Sequence, residues 1–239
     1  MKALTRLRLL LLSLLFATAP SVLLQAQQPD EASVIHHIDA VVEARFEAVL
    51  GFTDTEHYAV YRNNDETNPA AEMTVKTTYN KDTGKSYSIV SETGSEVLRH
   101  FVLDSLLENE KRINEPANRR ASWFISANYE MKLQPAGIQR IDGRDCLAVS
   151  LKPKDKAANL IEGTMWVDAK DYSTVQIQGV ATKSPSMFSG PAHVMRQYSN
   201  LSGFAQATHA RAVSNSTLFG QTTIIIDYRD YQIQVRPAK

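Results

Sequence analysis

The stretch Ile141-Asp142-Gly143-Arg144-Asp145-Cys146-Leu147-Ala148-Val149-Ser150-Leu151-Lys152-Pro153-Lys154 decides the fold, with Gly163-Thr164-Met165-Trp166-Val167-Asp168 and Val175-Gln176-Ile177-Gln178-Gly179 after it. Each piece is rich in Val, Ile, Leu and Thr over four to eight residues and is bounded by turn formers, the pattern of a strand rather than a helix. Asp142-Gly143 and Asp168-Ala169-Lys170-Asp171 supply the turns. Asp and Gly suit such positions because Gly takes positive φ freely and Asp bonds its own backbone. Strands joined by turns this short run antiparallel, since a parallel neighbour needs a crossover of about a dozen residues.

Working outward, the same alternation predicts strands over Ser126–Leu133, Asp145–Leu151, Leu160–Val167, Thr174–Thr182, His193–Asn200, Ala205–Ser216 and Thr222–Val235. Further turns fall at Pro135-Ala136-Gly137, Ser189-Gly190-Pro191 and Ser202-Gly203. Upstream, Val97, Leu98, Phe101, Val102, Leu106 and Leu107 form the apolar face of a helix over about Ser95–Ile113, which Pro116 stops. Its end, Glu108 to Arg112, reads as a solvated charged face. Three strands precede it, His57–Arg62, Ala71–Tyr79 and Lys85–Ser91. Gly84-Lys85-Ser86 looks like the tail of a phosphate-binding loop, but Tyr79 stands where that loop needs a glycine, so this is a hairpin turn. An opening helix over Glu31–Leu50 carries Val34, Ile38, Val41, Val42, Phe46 and Val49, and Gly51 ends it.

The expected fold class is α+β: about ten to eleven antiparallel strands in one strongly curved sheet, an unclosed β-barrel with helices covering the open side, because a sheet of that size curls or closes.

The chain opens with Lys2, Arg6 and Arg8, then an apolar run from Leu9 to Leu24 and a small residue at Ala26. That is the pattern of a secretory signal peptide cut after Ala26, leaving residues 27–239 as a single domain. The run is short for a membrane span and holds Pro20 and two serines. Removing it takes the charge from 26 basic against 26 acidic residues to 23 against 26, a net of −3. So nearly neutral a chain gives no electrostatic reason for a nucleic-acid partner. The one cysteine, Cys146, has no disulfide partner and reads as a small buried hydrophobe.

Together, the signal peptide, the opening helix, the strand triplet, the inserted helix and the run from Ile141 to Gly179 resemble the LolA/LolB-like family. These are periplasmic carriers of outer-membrane lipoproteins, with relatives described as outer-membrane lipoprotein-sorting proteins. The residue pattern is carried by about 140–180. The resemblance implies a periplasmic carrier with a helical lid over an apolar cavity that takes the acyl chains of a lipoprotein or lipid. Inner-membrane donor and outer-membrane acceptor proteins are the further partners it suggests. It implies no cofactor and transfers no functional residue.

A carrier of this kind needs a dry, lidded hollow without a convergent polar cluster. Leu98, Phe101, Val102 and Leu106 are the lid candidates. Trp123, Phe124, Met131, Met165, Trp166, Met187, Phe188 and Met195 are candidates for the wall, since methionines and aromatics suit adaptable surfaces. Taken singly, each fits plain core better than a cavity wall or lid. No His-Glu-x-x-His, Cys-x-x-Cys, Gly-x-Ser-x-Gly or Ser-x-x-Lys motif occurs, so neither catalysis nor a metal is expected. Two rivals remain. A regulatory or sensor module on the same fold would act through protein–protein binding at an exposed strand edge or patch, with Thr222–Tyr228 as a candidate segment. A secreted hydrolase would need His100, His193 or His209 to meet an acid or nucleophile in a cleft.

Overall fold

The computed structural model describes residues 29–156, 159–183, 190–216 and 220–237. Ten strands form one antiparallel sheet: β1 (Val49–Arg62), β2 (Ala71–Asn80), β3 (Gly84–Gly94), β4 (Tyr129–Ile141), β5 (Arg144–Pro153), β6 (Ile161–Asp168), β7 (Thr174–Ala181), β8 (His193–Leu201), β9 (Phe204–Ser216) and β10 (Gly220–Val235). Their order is β3-β2-β1-β10-β9-β8-β7-β6-β5-β4, so the sheet is unclosed and its edges are β3 and β4. Helix α1 (Glu31–Ala48) precedes the sheet. The segment between the two edge strands holds α2 (Glu96–Leu98), a π-helical stretch (Arg99–Asp104) and α3 (Ser105–Ile113). The expected half-barrel with helices on its open side is what the chain forms.

Helix α1 starts where the Asp30 carboxylate accepts from the Ser33 amide at 3.0 Å, which satisfies one of the orphan amides of the first turn. Asp39 then ties it to the chain ahead of β4, accepting from the Ser126 amide at 2.8 Å and its hydroxyl at 2.5 Å. Val34 and Ile38 press into an apolar cluster made by β4 to β7, with Met131, Val149, Leu151, Met165 and Ile177 at its centre. A second cluster joins Leu98, Leu103 and Leu107 to Tyr58, Val60, Met73 and Val75 of β1 and β2. The helices therefore cover the two ends of one sheet face, the inner face, and the apolar core is split in two.

Some boundaries differ from the expected ones. Gly51 does not stop α1; the chain turns extended at Val49 and Gly51 lies inside β1. A Cβ at Gly51 would meet the Tyr79 carbonyl oxygen at 2.7 Å, so glycine is needed there for the approach of β2. β1 consequently begins eight residues ahead of His57, held by pairing to β10 on one side and β2 on the other. Pro135-Ala136-Gly137 is a bulge within β4, between the pairs Leu133↔Val149 and Ile138↔Leu147, rather than a turn. An edge strand tolerates proline and a bulge because its outer side pairs with nothing. Thr222–Tyr228 is not an exposed edge: β10 runs in the middle of the sheet, bonded to both β1 and β9.

Candidate ligand cavity

The two apolar clusters do not meet flush. Between them, on the inner face, lies a cavity of about 640 Å³, within the range of about 300–1,000 Å³ usual for small-molecule sites. Its roof is the second half of α1, through Val41, Val42, Arg45 and Phe46, together with Leu106, Glu110 and Ile113 of α3. Trp123 and Phe124 close one side, the Trp123 ring 4.6 Å from that of Phe46. The floor comes from alternate residues of the strands, among them Ile161, Val194, Arg196, Ile224, Ile226 and Tyr228, as the period-two geometry of a strand requires.

Lys85 also lines this space and sits 3.4 Å from both Glu56 and Glu110, on β1 and α3. Burial works against the Lys85 charge, but the two carboxylates outweigh it and hold the ammonium well above its ordinary pKa. Burial likewise pushes Glu110 up, and Lys85 with Arg196 overcomes this, leaving its pKa lowered. Glu56 further accepts from the Tyr58 hydroxyl. One step along β1, Asp54 is buried with neither carboxylate oxygen bonded to a described residue. Burial, and then the nearby Glu56 charge, raise its pKa to about 7. Arg45 donates to Gln206 Oε1 at 2.9 Å, and burial lowers its pKa. The expectation of a dry wall without a convergent polar cluster is therefore overturned: the hollow is amphipathic. Glu110 is likewise not on a solvated face, unlike the exposed Glu108, Lys111 and Arg112 beside it.

Of the residues singled out from the sequence, Leu106, Trp123 and Phe124 come together at the cavity. Leu98 is buried in the second cluster and Val102 packs against it. Phe101 lies in the π-helical stretch and is 63% exposed. Met131 and Met165 are buried in the first cluster. Trp166 stands on the opposite, outer face, its Nε1 donating to Gln139 Oε1 at 2.8 Å. Met195 lies between the cavity-facing Val194 and Arg196 and so also points outward. Met187 and Phe188 lie outside the described residues.

The charged wall was missed because its members are scattered over β1, β3, α1, α3 and β8. The available signals were Asp54 and Glu56, which occupy the inward positions of β1 between Phe52 and Tyr58, and Arg45, which falls on the apolar stripe of α1. His209 does meet an acid, Asp227 at 2.8 Å, but on the outer face away from the cavity, opposite Ala210 and Ile226. His100 meets Asp104 at 3.3 Å on an exposed helix. Among the described residues no group of three or more His, Cys, Asp and Glu is placed to hold a metal ion, and no helix is long and apolar enough to cross a membrane.

Several solved structures align with most of this chain. A LolA superfamily protein from Nitrosomonas europaea is 11% identical, with 87% of this chain and 96% of that one aligned and a TM-score of 0.45. A domain from Vibrio parahaemolyticus, described as outer membrane lipoprotein-sorting, is 13% identical over 87% and 94% of the two chains, with a TM-score of 0.46. A DUF1329 family protein from Desulfovibrio piger is 13% identical over 86% and 95%, with a TM-score of 0.43. No family model and no curated protein matches the sequence.

Proposed function

We propose that this chain is a periplasmic carrier that takes the acyl chains of a lipoprotein or lipid into the cavity beneath α1 and α3, and so takes part in outer-membrane lipoprotein sorting. The observation that carries the reading is the hollow itself: about 640 Å³ of space held open between two apolar clusters and roofed by two helices. Each methylene moved out of water contributes about 0.8 kcal/mol, so one long chain gains on the order of 10 kcal/mol before ordering costs. A hollow with such walls serves binding and release and needs no reacting group. The helical roof shields the apolar wall when no chain is bound.

The test is native mass spectrometry of protein taken from a periplasmic extract, before and after organic extraction. Acylated species that co-purify, and are lost when Leu106 and Val42 are changed to Asp, support the carrier. A clean unliganded mass with no uptake on challenge with acyl lipids removes it. The same spectrum reads the N-terminus, where a mature chain starting at Gln27 is expected.

The second reading, an envelope module acting through protein–protein binding, is favoured by one observation. Ile89 and Val90 on edge strand β3 and Val97 and Phe101 beyond it are exposed apolar side chains. If no lipid is bound or taken up, this reading moves first.

A further inference from the structure

The part-buried cations around the cavity are not equally provided for. Lys85 has two carboxylates at 3.4 Å, Glu56 and Glu110. Arg196, whose Nε is also buried without an acceptor among the described residues, has the Tyr198 and Tyr228 phenols and then the Glu110 charge, which together outweigh its burial and keep its pKa raised. Arg45 has no carboxylate within 4 Å among the described residues. Its bond is to a neutral amide oxygen, Gln206 Oε1, at 2.9 Å. Its Nε is buried with no acceptor among the described residues. The groups that act on its charge are the phenols of Tyr79, Tyr198 and Tyr231, and burial prevails over them. Arg119 adds a second positive charge nearby, its guanidinium 4.6 Å over the ring of Phe46, the residue after Arg45.

A buried guanidinium without an anion is costly, and its remaining N–H groups form the fork that matches a carboxylate or a phosphate. The apolar surface runs from the same spot. Val41, Val42 and Phe46 lie on the same helix as Arg45 and border the same space, with Leu106 and Ile113 facing them from α3.

We infer that Arg45 holds the head group of an anionic amphiphile: a carboxylate or phosphate on an acyl chain docks against its guanidinium, while the chain lies along the apolar roof of the cavity. This rests on the acyl-chain reading above and sets the order among free lipids, charged ahead of neutral. The site recognises the charge, so an uncharged chain of the same length binds through its methylenes alone.

The experiment titrates the full mature chain with palmitate, with hexadecanol and with inorganic phosphate, following tryptophan fluorescence at neutral to mildly alkaline pH. Palmitate is expected to bind about tenfold or more tightly than hexadecanol, as a charge-assisted hydrogen bond in a buried site provides. Arg45→Gln is expected to abolish that preference, bringing the palmitate affinity down to that of hexadecanol. Arg45→Lys, which keeps a cation, is expected to retain part of it; should Arg45→Gln fail to fold by circular dichroism, its loss of preference relative to wild type is read from Arg45→Met. Equal affinity of wild type for palmitate and hexadecanol overturns the head-group site and leaves the acyl cavity standing. A preference that survives in a folded Arg45→Gln or Arg45→Met overturns the role of Arg45. Binding of neither chain overturns the acyl-chain reading itself, and phosphate bound alone then assigns a free anion in place of an amphiphile.

Discussion

Replacing Lys85 with Met removes the only cation within 4 Å of Glu56 among the described residues, and the effect can be worked out from the geometry. The ammonium stands 3.4 Å from Glu56 Oε1 and 3.4 Å from Glu110 Oε2, and the Glu56 side chain is 1% exposed. At an effective dielectric of about 20, each contact is worth about 5 kcal/mol of Coulomb energy. Most of this is offset by the desolvation that Lys85 no longer suffers, so the net loss is about 3–5 kcal/mol, as for other buried pairs broken from one side. For a protein with about 5–15 kcal/mol of total stability that is a large share. Urea unfolding followed by tryptophan fluorescence at pH 7 reads it as a lowered midpoint with an unchanged slope. The pH dependence supplies a second readout. The Glu110 pKa is lowered in the fold, so its stabilising contribution is present above the ordinary carboxylate range and is lost as pH falls through the lowered value. Without Lys85 that contribution is gone, and protonation relieves the stranded carboxylates. The gap between wild type and Lys85→Met is therefore expected to narrow as pH drops from 7 towards 3. A gap under about 1 kcal/mol at pH 7, or one that stays constant down to acid pH, refutes the assignment of a buried, charged triad.

Asp54→Asn is expected to act in the opposite sense. The wild-type pKa is raised to about 7, so the fold holds a proton that the unfolded chain gives up, and stability falls as pH rises from about 4 to about 7. The variant should be more stable than wild type by up to about 4 kcal/mol near pH 8 and no more stable near pH 4, by denaturant titration at both. Gly163→Val should destabilise by on the order of 3 kcal/mol, since a Cβ there would lie 2.1 Å from the Gln178 oxygen and 2.5 Å from the Gly179 Cα on the paired strand; a thermal melt measures it. Cys146 is fully buried and burial raises its thiol pKa, so a thiol reagent should label it in urea and leave it unmodified in the native protein.

The hairpins from Arg144 to Ala181 were legible because two local signals agree there, strand periodicity and Asp- or Gly-bearing turns. The same logic stopped short at β1. Gly51, Asp54 and Glu56 are poor strand formers, and only pairing on both sides and the buried ions across from them hold that half of the strand extended. Pro135-Ala136-Gly137 is as good a turn as a bulge by composition, and only the edge position of β4 decides between them. The apolar wall of the cavity was legible in part: Leu106, Trp123 and Phe124 reach it, whereas Met131 and Met165, of the same chemical type, fill the core. Nothing local separates those groups, because which side of a packed layer is left hollow depends on how far apart two helices sit. Lys85 and Arg196 look like ordinary surface cations until topology brings β3 and β8 around one space with α1.

The position of β1 beside β10 has a consequence for how the molecule is made. All other neighbouring strands are consecutive in the chain; this pair alone joins the first strand to the last, with Tyr58 opposite Ile226. Because closing so long a loop costs entropy before any contact repays it, β1–β3 and β4–β10 are two meanders whose strands pair with each other only once β10 is made. A chain emerging from its N-terminus therefore stays unsealed until β10 is free, and deleting all of β10 would leave β1 without its partner and the sheet in two parts.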